Sequence, residues 1–444
     1  MSQDLHKNTK KSLISLFFQS GYSAVLGLIA NIIITALEAK EVFGIYAATL
    51  ATIGIFNYLS DIGLAGALIQ KKEVKDVDLR TVFTIQQMLI LTLVVIGFIA
   101  TNFIRNYYHL PNQAIYLYWA VLAGFFISSL KTIPSVLLER SVNFAGIVRI
   151  QVIENTLFYL LISIGIILRF GLMSFAVAVI VRALVGTFLM YRSSTWRPQL
   201  GINNQSFREL ISFGLPFQLN SLLALIKDEF VVIFLGKTLG LATLGEIAWA
   251  KKWAEAPIRI VMDNISKVLF PVLSRLQDDQ EKLKRTVTMT IWAQTLILGP
   301  ILLISAFAMP YAVHIIPKYA KWQSAVPIFQ LFCISAFLST LSTPFMNVFN
   351  ALKKPRVPLA FMAYWTVTTW ILTPIAVKSF GAIGFAYVQV FLSSSFIAVI
   401  VIAQRYLKLD FFKYSPKEIF SVFSKALRSS NVSSIPLREP PITQ

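Results

Sequence analysis

The chain has 444 residues, of which 56% are hydrophobic and only 14% are charged, whereas soluble domains have about 25% charged residues. This composition excludes an ordinary soluble domain and predicts a multi-pass membrane protein. The formal charge of +19 does not indicate a nucleic-acid partner, because the basic residues form short clusters between apolar runs. The single cysteine, Cys333, rules out an internal disulfide, and three scattered histidines give no metal-binding pattern. We therefore expect no metal and no cofactor.

Apolar windows long enough to cross a bilayer occur twelve times along the chain. The first follows a basic N-terminal segment, residues 1–11, and is too long for the apolar part of a cleaved signal peptide. The windows are residues 12–37, 45–69, 81–104, 114–138, 148–168, 171–191, 210–236, 245–274, 287–309, 323–350, 357–378 and 382–404. We expect an all-α membrane protein with about twelve transmembrane helices.

The positions of Lys and Arg predict how these helices are oriented. If each window crosses the membrane once, 26 of the 40 Lys and Arg residues lie on one side and seven on the other. Positive charge is concentrated in cytoplasmic loops, so both termini are expected in the cytoplasm. The basic tail, residues 405–444, is expected to contact anionic lipids and to be partly disordered.

A weak internal repeat divides the chain into two parts. Phe43-Gly-Ile-Tyr-Ala-Ala resembles Leu244-Gly-Glu-Ile-Ala-Trp-Ala, and the segment around Pro134 resembles the one around Pro344, at offsets of 201 and 210 residues. The repeat predicts two six-helix bundles, residues 12–191 and 210–404, joined by a cytoplasmic linker at 192–209. Transporters built from such repeats bind their substrate between the halves.

The window at 245–274 is unusual because charged residues recur along it at every fourth position. Lys251, Glu255, Arg259, Asp263 and Lys267 form one slowly winding stripe on a helix. Each charge facing lipid at the bilayer centre would cost about 2.5–3.5 kcal/mol. The stripe is therefore expected to face water or protein. It either lines a hydrophilic path or neutralises itself through pairs four residues apart, and both can hold at once.

Several short motifs together resemble those of a known family, the polysaccharide and O-antigen flippases of the multidrug/oligosaccharidyl-lipid/polysaccharide exporter superfamily. The motifs are Glu41-Val-Phe-Gly-Ile-Tyr-Ala, Asp61-Ile-Gly-Leu-Ala-Gly-Ala-Leu-Ile-Gln, Phe213-Gly-Leu-Pro, Asp228 followed by Phe234-Leu-Gly and Leu244-Gly, and Phe270-Pro-Val-Leu-Ser. Two positions depart from the family pattern: Thr35 stands where a basic residue is usual, and Glu246-Ile where Gly-x-Tyr is usual.

The resemblance implies a flippase of the bacterial cytoplasmic (inner) membrane that moves undecaprenyl-pyrophosphate-linked oligosaccharide outward by alternating access. Its product would serve surface polysaccharides such as O-antigen, capsule or exopolysaccharide. The implied partners are the lipid-linked substrate, membrane lipids, and a polysaccharide polymerase with glycosyltransferases. A flippase is not an enzyme, and the short predicted outer loops fit that expectation.

Cationic residues within the predicted helices are the candidates for binding the pyrophosphate that this substrate would carry. They are Arg182, Lys227, Lys251, Lys252, Arg259 and Lys267. Arg can grip a phosphate with two parallel hydrogen bonds, whereas Lys offers a mobile point charge. Lys131 lies near a helix end, where its side chain can equally well reach the lipid headgroups.

Acidic residues in the same helices are candidates for coupling transport to H⁺ or Na⁺, because a carboxylate in a low-dielectric cavity can exchange a proton or hold a cation. They are Asp61, Asp228, Glu255 and Asp263. For Asp61 a hydrogen bond at a helix end is an equal alternative. Trp249, Trp253 and Trp322 are expected in the interfacial aromatic belt, although Trp249 or Trp253 could stack on a sugar ring.

Two other functions stay open at this stage. A multidrug exporter of the same superfamily would bind organic cations, which the buried Lys and Arg residues disfavour. A membrane-embedded enzyme of glycan assembly would need a nucleotide or metal motif, and the sequence contains none.

Overall fold

The computed structural model describes residues 2–60, 63–71, 73–141, 144–275, 279–352 and 354–407. Side chains are described throughout these ranges except at 2–17, 70, 212–221, 263–272 and 274–275. Every regular element within them is a helix. Residues Pro317–Ala325 form a 3₁₀ segment, and the α-helices are α1 (Ser2–Leu37), α2 (Lys40–Ser60), α3 (Leu64–Gln70), α4 (Asp76–Ile99), α5 (Thr101–Tyr108), α6 (Asn112–Ser129), α7 (Thr132–Arg140), α8 (Phe144–Ile167), α9 (Leu172–Arg192), α10 (Asn204–Leu239), α11 (Leu241–Arg275), α12 (Gln280–Ile315), α13 (Val326–Ala351), α14 (Arg356–Phe380), α15 (Ala382–Ser393) and α16 (Phe396–Leu407).

Within the described residues, nine helical stretches are long and apolar enough to cross a membrane, and the bent pair α6 and α7 makes a tenth. These ten correspond to ten of the predicted windows. The other two windows, 210–236 and 245–274, coincide with α10 and α11, whose residues 212–221 and 263–272 lie outside the part with described side chains. In the parts that are described, α10 carries Lys227, Asp228 and Glu229 in succession, and α11 carries Lys251, Glu255 and Arg259 of the charged stripe.

Four predicted windows are interrupted in the structure. The window at 45–69 breaks at Gly63, whose φ of 79° is left-handed, and the window at 114–138 bends by 43° between α6 and α7. The windows at 81–104 and 382–404 are likewise each divided between two helices. Helix α1 begins at Ser2 instead of residue 12, because polar helix formers such as Gln and Lys extend a helix beyond its apolar part.

The second helix of the chain, α2, lies at the boundary between the first half (α1–α9) and the second half (α10–α16). It packs against both α10 and α11, and α11 in turn packs against α13. The largest apolar core crosses this boundary, since it joins Phe43 and Ile45 of α2 to Leu244 and Trp249 of α11. The halves therefore meet mainly through α2 and α11.

The segment before α10 is fixed to the first half. The backbone N–H of Gly201 donates to Thr84 Oγ1 at 2.9 Å, and that of Asn203 donates to Thr81 Oγ1 at 3.0 Å. Asn203 also caps α10, because its side-chain oxygen accepts from Ser206 N at 2.9 Å. The start of α10 is thereby attached to α4.

Candidate functional site

The main cavity lies between the two halves and has a volume of about 1010 Å³. Helices α1, α2, α7, α8 and α9 of the first half line it, with α10, α11 and α15 of the second half. Both Gln19 and Ile34 of α1 line the cavity, and the fifteen residues from one to the other span about 22 Å of helix. The cavity is thus elongated along the helices, and its volume is at the upper end of the range of roughly 300–1,000 Å³ for small-molecule sites.

Five of the six predicted cations line this cavity. Arg182 comes from α9, Lys227 from α10, and Lys251, Lys252 and Arg259 from α11. The side chain of Lys267, the sixth, lies outside the described residues. The fold therefore brings together in one space five cations that the sequence places within predicted membrane helices.

Two of the four predicted acids, Asp228 and Glu255, also line the cavity. Asp61 and the side chain of Asp263 lie outside the described residues. Glu139 of α7 is a third cavity carboxylate, which sequence reasoning missed because Glu139 follows the bend after α6 and precedes the basic Arg140 at a helix end.

The charged stripe of α11 is both paired and exposed to the cavity. Arg259 Nη2 lies 3.0 Å from Glu255 Oε2, and Lys251 Nζ lies 3.8 Å from Glu255 Oε1. The Arg259 side chain remains 73% exposed, so this pair is solvated and contributes little to stability. On α10, Lys227 Nζ lies 2.5 Å from Asp228 Oδ1. The two interpretations of the stripe thus coexist at Lys251, Glu255 and Arg259.

Two cavity cations have no carboxylate partner among the described residues. The Arg182 guanidinium lies 5.2 Å from the centre of the Phe158 ring, a cation–π contact that positions it from the first half. Lys252 takes part in none of the ion pairs of the described chain. An anion in the cavity can therefore bind a cation from each half that is not already paired with a carboxylate, namely Arg182 and Lys252.

One end of the interface between the halves is closed by direct backbone contact. A Cβ atom on Gly44 would lie 1.8 Å from the carbonyl oxygen of Leu241, and one on Gly245 would lie 1.9 Å from that of Lys40. Any side chain at either glycine would collide with the opposite helix. The contact is reciprocal, because the pairs 40/241 and 44/245 share the 201-residue offset of the sequence repeat. We call this region, together with Thr35, Glu246, Trp249 and Trp322, the closed end.

Buried tryptophans complete the closed end. Trp249 and Trp322 are both 0% exposed, and their rings stack at 4.9 Å between centres. Trp249 Nε1 donates to Thr35 Oγ1 at 3.2 Å, and Trp322 Nε1 donates to the Thr35 carbonyl oxygen at 2.9 Å. The expectation that these two residues lie in the interfacial belt is wrong, because each is packed inside the protein with its N–H satisfied.

An ion pair spans the closed end. Lys40 Nζ lies 2.5 Å from Glu246 Oε1, and the Ser324 hydroxyl donates to the same oxygen at 2.5 Å. The two positions that depart from the family pattern, Thr35 and Glu246, thus both form contacts between the halves here.

Lys131 has a partner inside the protein, which neither alternative from the sequence predicted. It forms an ion pair with Glu154 of α8, which is itself buried. Because neither residue lines the main cavity, this pair holds α7 and α8 together.

Known proteins of similar sequence are named for the biosynthesis or transport of polysaccharides. The lipopolysaccharide biosynthesis protein WzxC of Escherichia coli (strain K12) is 24% identical over 367 residues, covering 81% of this chain and 73% of WzxC. The succinoglycan biosynthesis transport protein ExoT of Rhizobium meliloti (strain 1021) is 21% identical over 357 residues, covering 80% of this chain and 71% of ExoT.

Solved structures of similar fold are membrane transporters. The lipid II flippase MurJ in an inward closed conformation matches with a TM-score of 0.72 over 93% of each chain, at 15% identity. An inward-facing multidrug resistance MATE family transporter of the MOP superfamily matches with a TM-score of 0.70, at 15% identity, over 87% of this chain and 94% of that one. These likenesses establish the fold of a multi-span membrane protein.

A family model described as polysaccharide biosynthesis protein matches residues 34–327. The match includes α2, the closed end and every described cation of the main cavity. It extends over well more than half of the sequence, and this chain therefore belongs to the polysaccharide biosynthesis protein family.

Proposed function

We propose that the protein is a flippase that moves undecaprenyl-pyrophosphate-linked oligosaccharide outward across the bacterial cytoplasmic (inner) membrane for surface polysaccharide biosynthesis. The family membership, the transport role in the name of ExoT and the flippase named among the proteins of similar fold support the proposal. Catalysis is not part of it. Glycosyltransferases would supply the substrate on the cytoplasmic side, and a polymerase would consume it on the outer side.

The observation that carries the proposal is the cationic main cavity. Five Lys or Arg side chains line it against three carboxylates, and Arg182 and Lys252 face it without a carboxylate partner among the described residues. A pyrophosphate binds well where cations are available and partly desolvated. An organic cation, the substrate of a multidrug exporter, would be repelled by the same groups.

We infer that twelve transmembrane helices form two six-helix bundles, residues 12–191 and 210–404, with the linker at 192–209 and both termini in the cytoplasm. Two glycines at corresponding positions of the repeat have similar backbone angles, which supports this arrangement. Gly171 before α9 has φ 52° and ψ −128°, and Gly381 before α15 has φ 63° and ψ −142°. The two glycines are 210 residues apart, the same offset as Pro134 and Pro344.

In this arrangement the closed end faces outward, since Lys40 and Lys321 belong to the side that is poor in Lys and Arg. The cavity would then load its substrate from the cytoplasm and release it after α2 and α11 part at Gly44 and Gly245. Asp61, Asp228, Glu255 or Asp263 would exchange H⁺ or Na⁺ during this cycle. Lys267, about two helical turns beyond Arg259, would extend the cationic path, and the basic tail, 405–444, would lie on anionic lipid.

The test is translocation of fluorescent undecaprenyl-pyrophosphate-linked oligosaccharide in proteoliposomes. We expect Arg182→Gln and Lys252→Gln each to slow translocation about tenfold, since a charge-assisted hydrogen bond is worth roughly 1.5–3 kcal/mol, and Arg259→Ala to abolish it without loss of membrane abundance. Arg192→Gln is the matched control, because Arg192 also lies on α9 over an aromatic ring, 6.0 Å from the centre of Phe188, but outside the cavity.

Three outcomes would contradict the proposal. Normal translocation by all three cavity variants would remove the anion-binding role. Ethidium efflux with no lipid translocation would favour the multidrug exporter, and transfer or polymerisation of sugars would favour the enzyme.

A further inference from the structure

A second cavity opens beside the main one and lies within the second half. Its volume is about 310 Å³, and side chains of α10, α13, α14 and α15 form its walls, with Ser395 from the turn after α15. Lys227 and Gln389 line both cavities. We call this space the side chamber, and its position makes it a branch of the main cavity.

Most residues that line the side chamber carry a hydrogen-bonding side chain, and only one of them is charged. Besides Lys227 and Trp365, these residues are Ser339, Ser342, Thr343, Asn347, Gln389, Ser393 and Ser395. Lys227, at the junction with the main cavity, is the one ionisable group among its described lining residues. The side chamber therefore has far fewer charged groups than the main cavity that it joins.

Hydrogen bonds hold part of this wall in place. The Ser393 hydroxyl oxygen lies 2.7 Å from that of Ser335 and 2.9 Å from that of Ser339. The indole Nε1 of Trp365, another lining residue, donates to Ser395 Oγ at 2.8 Å. The wall is thus organised before anything enters the chamber.

One polar group in the wall is left without a partner. Asn347 lines the chamber, and its Nδ2 is buried and makes no hydrogen bond to any described residue, so a turn of the amide toward the chamber would let this donor find a partner. An unsatisfied buried donor costs about 1–3 kcal/mol, and a polar cavity of this size must hold water or a polar ligand. An apolar lipid chain would offer no hydrogen bond to the Asn347 amide or to the free donor and acceptor positions of the lining hydroxyls.

We propose that the side chamber is a sugar subsite that takes one uncharged sugar ring of the lipid-linked substrate while the pyrophosphate stays on the cations of the main cavity. This inference rests on the proposed function. Sugar hydroxyl and acetamido groups can pair with the Ser, Thr and Asn side chains, and the Trp365 ring offers an apolar surface to the C–H face of a sugar. The volume is at the lower end of small-ligand sites, roughly 300–1,000 Å³, so one ring enters and longer chains remain outside.

The absence of charge sets the specificity of the subsite. An acidic sugar would meet no cation beyond Lys227, which already lies 2.5 Å from Asp228 Oδ1, and an amino sugar would find no carboxylate among the described lining residues. Burying either charge unpaired is costly. The side chamber accordingly selects neutral rings.

The experiment measures binding of defined lipids to the full-length protein in lipid nanodiscs by native mass spectrometry. The probes are undecaprenyl pyrophosphate alone and the same lipid carrying one glucose, galactose, N-acetylglucosamine or N-acetylgalactosamine. We expect at least one sugar-bearing lipid to bind about tenfold more tightly than the bare lipid. Asn347→Leu, which keeps the shape but removes the donor, should reduce this ratio several-fold and leave bare-lipid affinity unchanged.

Asn350→Leu is the matched control, because Asn350 lies one turn further along α13, is exposed and does not line the side chamber. Thr343→Val is a second test variant should Asn347→Leu fail to fold. The inference is overturned if no sugar-bearing lipid is preferred, or if the preference survives both chamber variants. A failure of the proposed function looks different: the wild-type protein would bind no bare lipid, or Arg182→Gln and Lys252→Gln would leave its binding unchanged.

Discussion

Helix α11 meets the rest of the protein in two different ways along its length. Around Gly245 its backbone touches α2 with no space for a side chain, and Trp249 is completely buried. Over the next three turns, Lys251, Glu255 and Arg259 face the main cavity. The same helix thus forms the closed end and the charged wall of the cavity.

The comparison shows that one helix can combine close packing at one end with solvated charges along the cavity. Close packing at the closed end stabilises contact between the halves, because each buried indole removes about 150–250 Å² from water. In the cavity the stripe keeps its charges solvated, so they stay available to a ligand. Parting the closed end would expose the two indoles, while the cavity wall need not change.

The largest effect is expected at the glycine contact. Gly44→Ala should force α2 and α11 apart, since the new Cβ would lie 1.8 Å from the Leu241 oxygen. Overpacking costs about 1–3 kcal/mol, which corresponds to a roughly five- to 150-fold shift toward the open state. The shift can be measured with a cysteine at Ala325, a fully buried position, in a Cys333→Ala background. Opening of the contact should make this cysteine react faster with maleimide.

Gly66→Ala is the control for this variant, because a Cβ at Gly66 would meet no atom within 4 Å. Alanine is the better helix former by about 1 kcal/mol, so this control should be neutral or slightly stabilising. Equal labelling of the Gly44→Ala protein and its parent would mean that the contact does not hold the halves together.

The second prediction contrasts two faces of α11. Single cysteines at positions 251, 255 and 259 should react with a membrane-impermeant charged maleimide at least about tenfold faster than cysteines at 250 and 254. The reason is that Ala250 and Ala254 are 0% and 1% exposed, whereas the first three positions line the cavity. Uniform labelling of all five positions would contradict a water-filled path along the stripe.

The third prediction compares the two ion pairs of the helix. Glu246→Gln should destabilise the protein by about 1–2 kcal/mol. The Lys40 and Glu246 side chains are only 24% and 14% exposed, so the substitution would leave the mostly buried Lys40 ammonium without a carboxylate partner. Glu255→Gln should cost less than about 1 kcal/mol, since the Arg259 side chain is 73% exposed. Thermal unfolding of both variants in one detergent checks the order, and the reverse order would place the structural pair in the cavity.

Part of this contrast was predictable from the sequence, and the reason is periodicity. Spacing by four puts Lys251, Glu255 and Arg259 on one helical face, and an uncompensated charge cannot face lipid, so the face had to meet water or protein. The overall class followed from composition in the same way. The breaks within four predicted spans were not visible, because hydropathy does not register a glycine turn or a bend.

Contacts between distant helices could not be predicted from one sequence. Nothing local indicates that Trp249 meets Trp322, or that Thr35 accepts a hydrogen bond from it. The one available signal was the repeat, because Gly44 and Gly245 occupy corresponding positions in it and lie directly against each other in the structure. The side chamber gave no signal, because Ser and Thr in membrane helices commonly bond to neighbouring helices.

The smallest effect is expected at Glu38, in the short turn between α1 and α2 beside the closed end. Burial raises the pKa of this carboxyl, and the charge of nearby Lys321 only partly offsets the increase. Because the pKa of Glu38 is higher in the folded protein than in the unfolded chain, the folded state favours the protonated carboxyl. The stability gained from that protonation is complete below the unfolded pKa and is lost as the pH rises through the folded pKa. Glu38→Gln, which removes the charge, should therefore raise the unfolding temperature slightly at pH 7 and leave it unchanged at pH 4. A variant that is less stable than the parent at pH 7 would show that the Lys321 contact outweighs the cost of burying the Glu38 carboxylate.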